Sequence, residues 1–99
     1  MDFIIWEFTV REEYIPKFIA VYDSNGDWAN FFRQSEGYLG TDLLRSSQHT
    51  NIFLTIDRWK NIAYFEALHA QFTTEYKKLD AQLENFTLSE RKIGIFSGS

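Results

Sequence analysis

Residues 2–10 alternate between two sets, Ile4, Trp6, Phe8 and Val10 on one face and Phe3, Ile5, Glu7 and Thr9 on the other. Period-two alternation predicts a strand, here with both faces largely apolar at its start. Glu12 and Glu13 suit the N-terminal dipole of a helix with Pro16 in its first turn, and Ile15, Phe18, Ile19 and Tyr22 follow at helical spacing. Asp23-Ser24-Asn25-Gly26 is a turn cluster. Asp27 is then expected to cap a short second helix running through Arg33, with Trp28, Phe31 and Phe32 inward. Gly37 and Gly40 punctuate the entry to a second strand, about Thr41 to Ser46. A polar turn through Asn51 leads to a third strand that ends at Trp59.

The third strand is unusual. Ile52, Leu54 and Ile56 take one face, while Phe53, Thr55, Asp57 and Trp59 take the other. A face that meets water should be polar, yet here both carry large apolar groups and one carries an acid among rings. After it, Asn61 is a cap for the longest helical stretch, in which Phe65, Leu68, Phe72, Tyr76, Leu79 and Leu83 step by threes and fours. Thr73-Thr74 marks a kink or a break and restart, because β-branched residues are weak helix formers. A last strand is expected from about Glu90 to Phe96.

The order β-α-β-β-α-β predicts an α+β fold, the ferredoxin-like split arrangement, with an antiparallel sheet and both helices on one face. Its other face is then bare, with Phe53, Trp59, Phe3 and Ile5 as candidates for it. A bare apolar face marks an interaction site, and a second copy packed sheet against sheet is the simplest cover.

Ninety-nine residues make one domain, 1–99, with no room for a second core. Aromatic residues are 18% of the chain, which excludes a disordered segment. The net charge of −4 and the short basic groupings Arg58–Lys60, Lys77–Lys78 and Arg91–Lys92, each offset by acids, argue against nucleic acid. The GxxG at Gly37–Gly40 runs into a strand rather than joining two helices and lacks basic residues, so it is a chance match to an RNA clamp. With no cysteine there is no disulfide framework, thiolate nucleophile or cysteine-based metal site, and two histidines twenty positions apart leave no recognisable metal-ligand set. No secretory leader and no membrane span is visible, so a cytoplasmic protein is expected.

Several stretches together resemble a known family. Trp6-x-Phe8-x-Val10, Tyr22, Gly26-Asp27-Trp28-Ala29 and Gly37-Tyr38-Leu39-Gly40-Thr41-x-Leu43-Leu44-Arg45 are similar to antibiotic biosynthesis monooxygenase (ABM) domains. So are Leu54-Thr55-Ile56-Asp57-Arg58-Trp59, Tyr76-x-x-Leu79-Asp80 and Glu90-x-x-Ile93-Gly94-x-Phe96. The resemblance covers nearly the whole chain and implies a dimeric α+β barrel, a homodimer through the sheet faces, with a cavity between helices and sheet in each protomer. It also implies a range of activities, among them cofactor-independent oxygenation of aromatic polyketides, haem degradation and reactions of small quinols. The haem-degrading members share an Asn on the first strand and a Trp and a His on the last helix; here Trp6, Leu68 and Lys78 stand at those places, so haem degradation is disfavoured.

Within that frame the candidate chemistry is sparse. His69 flanks the apolar stripe of the long helix and reads either as a proton acceptor at a cavity or as a boundary histidine held by a local hydrogen bond, the commoner fate of a lone histidine. Asp57 reads as a proton acceptor or as a carboxylate tied into structural pairing, the commoner reading. His49 belongs to an exposed turn. Trp6, Tyr22, Trp28, Trp59 and Tyr76 are the expected pocket walls for a flat ring, although most rings in so small a domain are packing. The leading expectation is a cofactor-independent monooxygenase of a small flat aromatic or quinol-like substrate, needing no metal. A ligand-binding or stress-response dimer without chemistry is the alternative, and a structural dimer whose cavity is filled by its own rings is the third. An acceptor reaching into a void separates the first from the others.

Overall fold

In the computed structural model, which describes residues 1–98, the chain opens with strand β1 (Asp2–Val10) and a 3-10 turn at Glu12–Tyr14. Helices α1 (Ile15–Tyr22) and α2 (Asp27–Phe32), strands β2 (Tyr38–Arg45) and β3 (Ile52–Trp59), and helices α3 (Ile62–Gln71) and α4 (Thr73–Leu83) follow. A 3-10 turn at Glu84–Phe86 leads into β4 (Thr87–Ser97). The strands form one antiparallel sheet in the order β2-β3-β1-β4. This is the split β-α-β topology that the pattern predicts, with β3 inserted between the two strands that α1 and α2 connect. Among the described residues no helix is long and apolar enough to cross a membrane.

The helices pack on one sheet face and make the core. Ile4, Phe8 and Val10 of β1 and Phe53 and Trp59 of β3 meet Phe18, Tyr22, Trp28, Phe32, Leu68 and Leu83. Trp59 is fully buried against the rings of Phe32, Tyr38 and Phe65. Phe53 and Trp59, two of the candidates for the bare face, therefore do not belong to it. Opposed residues in an antiparallel ladder share a face, and the register Phe8↔Phe53 sets Phe53 beside the buried set of β1. The bare face instead carries Phe3 and Ile5, as expected, together with Ile52, Leu54 and Ile56, all half-buried. Phe96, opposite Phe3, extends it onto β4 and is exposed.

Local chemistry explains most boundaries. Asn61 caps α3, its side chain accepting from the Ala63 N–H at 2.9 Å. The long helical stretch does break, at Phe72 (φ −118°, ψ 38°), and the Thr73 hydroxyl donates its one proton to the backbone carbonyl of His69 at 2.7 Å, with that of Ala70 farther off at 3.2 Å. Asp27 is not the cap of α2. Gly26 holds that position, because the chain passes so close to α1 that a Cβ there would lie 2.2 Å from the Val21 carbonyl oxygen. Asp27 sits instead in the first turn, where its charge suits the dipole. Strand β2 starts three residues earlier than expected, because Gly40 (φ +138°) absorbs an irregularity in the ladder rather than preceding the strand. Strand β4 likewise begins at Thr87 rather than Glu90.

Candidate functional site

Between the helices and the sheet lies a cavity of about 500 Å³. Its floor is the helix-side face of the sheet, with Ile4, Trp6 and Phe8 from β1, Thr55 and Asp57 from β3, Thr41 from β2, and Glu90 and Lys92 from β4. Its roof is Tyr22 from α1, Trp28 and Phe32 from α2, Phe65 and His69 from α3, and Tyr76 and Asp80 from α4. The register supplies the β4 pair, since Trp6 faces Lys92 and Phe8 faces Glu90. The ladder slips by one residue between those pairs and Gly94, whose φ of +153° suits glycine alone.

Asp57 is the buried titratable group of the site. Strand alternation turns it toward the helices between Thr55 and Trp59, and only 8% of its surface remains exposed. Thr41 lies directly opposite it in the ladder and donates to Asp57 Oδ1 at 2.7 Å. A threonine hydroxyl has one proton, so the hydrogen bond between Thr41 and Tyr38 runs the other way, with the Tyr38 phenol donating. The chain Tyr38 to Thr41 to Asp57 thus ends at a carboxylate in the cavity floor. Burial raises the Asp57 pKa to about 6, with the Thr41 hydrogen bond and the Arg58 charge opposing that rise.

The roof presents rings. Tyr76 packs on His69 at 4.4 Å between ring centroids and on Trp28 at 5.1 Å, and Tyr22 packs on Phe8 at 4.9 Å. The break at Phe72 lets His69, from α3, and Tyr76, from α4, stand together over the same space. Burial, and then the carboxylates of Asp80 and others, push the Tyr76 phenol up to about 12; burial also raises the Tyr22 phenol well above its ordinary value, so both remain protonated donors at neutral pH. Glu90 at the rim is held above the usual carboxylate range by partial desolvation first and by the charges of Asp80 and Glu84 second. The indole N–H of Trp28 is buried with no acceptor among the described residues.

Six of the residues singled out from the sequence, Asp57, His69, Trp6, Tyr22, Trp28 and Tyr76, line this one cavity. Trp59 does not. Its place in the strand is right, but Tyr38, Phe32 and Phe65 close over its ring and leave it no free surface. His49 is exposed in the β2–β3 turn. Thr41, Glu90, Lys92 and Asp80 were not anticipated. Thr41 follows from Asp57 once the β2–β3 register is known, whereas the slip in β4 that aims Glu90 and Lys92 has only Gly94 as its trace in the sequence. Among the described residues no group of three or more His, Cys, Asp or Glu side chains is placed to hold a metal ion.

Residues 1–79 match the sequence pattern of the family described as antibiotic biosynthesis monooxygenase. No curated protein matches the chain in sequence. Among solved structures, SnoaB, a cofactor-independent oxygenase from Streptomyces nogalater, aligns over 99% of this chain and 92% of its own at 21% identity, with a TM-score of 0.74. Rv0793 from Mycobacterium tuberculosis aligns over 99% and 94% at 14% identity, with a TM-score of 0.75. A conserved protein from Methanosarcina mazei aligns over 99% and 92% at 11% identity, with a TM-score of 0.73. At these identities the likeness shows the fold alone.

Proposed function

From the premise that the chain belongs to the antibiotic biosynthesis monooxygenase family, we propose that it is a cofactor-independent oxygenase of a small flat aromatic or quinol-like substrate, bound between the helices and the sheet. One observation carries this reading: a buried carboxylate with a pKa near 6 sits in the floor of a ring-lined cavity of about 500 Å³. A packed core has no use for such a group, whereas a proton acceptor poised just below neutral pH suits general-base chemistry. In this reading Asp57 takes the proton of a substrate hydroxyl, and the electron-rich anion then reduces oxygen directly. For a hydroquinone the balance is one quinol plus O₂ giving one hydroxyquinone plus water, with all four electrons drawn from the substrate. Proton transfer to Asp57 leaves the charge of the cavity unchanged, which matters where water is scarce.

Trp6, Tyr22, Trp28 and Tyr76 are the walls that stack the ring, and His69 is a second proton acceptor beside Tyr76. The protein in this reading is a cytoplasmic homodimer, with the open sheet face covered by a second copy in a dimeric α+β barrel. Oxygen uptake on an electrode with a panel of hydroquinones and naphthols tests the oxygenase reading. Turnover is expected with at least one of them, and Asp57→Asn should lower kcat about a hundredfold or more. Probes that bind without oxygen uptake favour the binding-only alternative, and equal turnover by Asp57→Asn removes the assigned base.

A further inference from the structure

Charge is distributed unevenly about the cavity. Three carboxylates (Asp57, Asp80 and Glu90) line it against one ammonium, that of Lys92. Asp57 is buried in the floor, while Asp80, on α4, and Glu90 and Lys92, on β4, are exposed at the rim. Two ion pairs exist among the described residues, Arg58 with Asp42 and Arg91 with Glu7. The register puts both on the opposite, open face of the sheet, in line with Ile56 and Leu54 rather than with the cavity. Arg91 follows Glu90 directly in sequence, yet its side chain turns to the other face to meet Glu7 at 3.4 Å. Neither pair involves Asp57, Asp80 or Glu90, so among the described residues no cation closes an ion pair with the cavity acids.

The geometry points to a substrate class: we propose that the cavity takes uncharged or cationic phenols and excludes their carboxylated, sulfonated and phosphorylated counterparts, with Asp80 and Glu90 at the rim as the selecting groups. This rests on the reading of the cavity as an aromatic substrate site and narrows it. With the flat ring against Trp6, Trp28 and Tyr76 and its hydroxyl at Asp57, a substituent on the far side of the ring points out to the exposed lining residues Asp80, Glu90 and Lys92. An ammonium there gains two attractions against one repulsion, from Lys92, and a carboxylate meets the reverse. The field is also felt inside, since Asp80 and Glu90 each add to the rise of the Tyr22 and Tyr76 phenols. The chemistry pulls the same way. Once the ring hydroxyl has given its proton to Asp57 the substrate carries the negative charge, and an anionic substituent adds a second one where two carboxylates, Asp80 and Glu90, outnumber the single ammonium of Lys92.

The test uses three probes on one ring system: 6-hydroxy-2-naphthoate, 6-hydroxynaphthalene-2-carboxamide and 6-aminomethyl-2-naphthol. Each is titrated calorimetrically into the protein at neutral pH. The amine should bind tightest and the carboxylate weakest, with Kd values about tenfold apart at low ionic strength and closing as salt is added. Asp80→Asn combined with Glu90→Gln should collapse that ratio toward unity. Equal binding of the three probes, or tighter binding of the carboxylate, overturns the selectivity while leaving the aromatic site standing. A ratio that survives the double substitution overturns the roles of Asp80 and Glu90. Failure of all three probes to bind removes the aromatic site itself and the selectivity with it.

Discussion

Replacing Asp57 by Asn should make the protein more stable at neutral pH. In the fold the carboxyl titrates near 6 rather than at the ordinary 3.8, because burial penalises its charged form. The folded value lies above the unfolded one, so between pH 3.8 and about 6 the folded chain holds the extra proton. Stability therefore falls as pH rises through that window, and the whole cost is present above it. At about 1.4 kcal/mol for each pH unit, the gap amounts to roughly 3 kcal/mol at pH 7.5. Asparagine keeps an oxygen for the Thr41 hydroxyl, at 2.7 Å from the carboxylate now, and carries no charge. Its amide N–H groups face the cavity and meet water less well than bulk, which costs about 1 kcal/mol. The net gain is about 2 kcal/mol, or a rise in Tm of about 10 °C for a domain of this size. The assay is thermal unfolding by circular dichroism, wild type against Asp57→Asn, at pH 7.5 and again at pH 4. The gain should be present at pH 7.5 and lost at pH 4, where folded wild-type Asp57 is itself protonated and only the amide cost of about 1 kcal/mol is left to the variant. A variant that melts at or below the wild-type temperature at pH 7.5, or by the same margin at both pH values, would refute an ionised, desolvated carboxylate in the cavity floor.

Three further outcomes follow from particular contacts. Gly26→Ala places a Cβ against the Val21 and Ala20 carbonyl oxygens, 2.2 and 2.6 Å away, and backbone cannot yield cheaply, so urea unfolding should show a loss of more than about 2 kcal/mol. Asn61→Ala removes the acceptor for the Ala63 N–H and should cost about 1 kcal/mol in the same assay, without altering ligand binding in the cavity. Leu54→Arg puts a charge at the centre of the open sheet face, between Glu7 of β1 and Leu44 of β2, and if the proposed dimer forms through that face sedimentation should find the wild type dimeric and the variant monomeric. A monomeric wild type sinks the dimer outright.

The fold was legible because its signals are local. Alternation along residues 2–10 and 52–59, the cap at Asn61 and the Thr73 break each depend on a few neighbouring residues, and each holds in the structure. What the sequence leaves open is which face is which. Periodicity shows that Phe53, Thr55, Asp57 and Trp59 travel together, yet it is silent on the layer they meet, because both sets on β3 are apolar enough to be inside. That ambiguity is physical, since a sheet with helices on one side and an apolar opposite face has two dry-looking sides. The same limit governs the site. Tyr22, Trp28, His69 and Tyr76 were legible as aromatic or titratable residues on helices, while Trp59 looks identical in sequence and is sealed by Phe32, Tyr38 and Phe65. Thr41, Glu90 and Lys92 enter the cavity through register alone, and register is long-range information.

Strand β3 shows why the carboxylate calls for a functional account. Its helix-side set is otherwise built for packing, with Phe53 and Trp59 fully buried at either end and Thr55 between. A valine at position 57 would continue that pattern with high strand propensity and no titration cost. The aspartate instead subtracts roughly 3 kcal/mol at neutral pH from a total that for a domain of this size is about 5–15 kcal/mol. Structural roles for buried carboxylates usually involve a cation, and here the adjacent Arg58 points to the other face and pairs with Asp42. What supports Asp57 is one hydroxyl, Thr41, itself held by Tyr38; that arrangement orients a carboxylate without neutralising it. An oriented, un-neutralised acid at the floor of a ring-lined space is costly as architecture and, in the proposed reading, useful as a base.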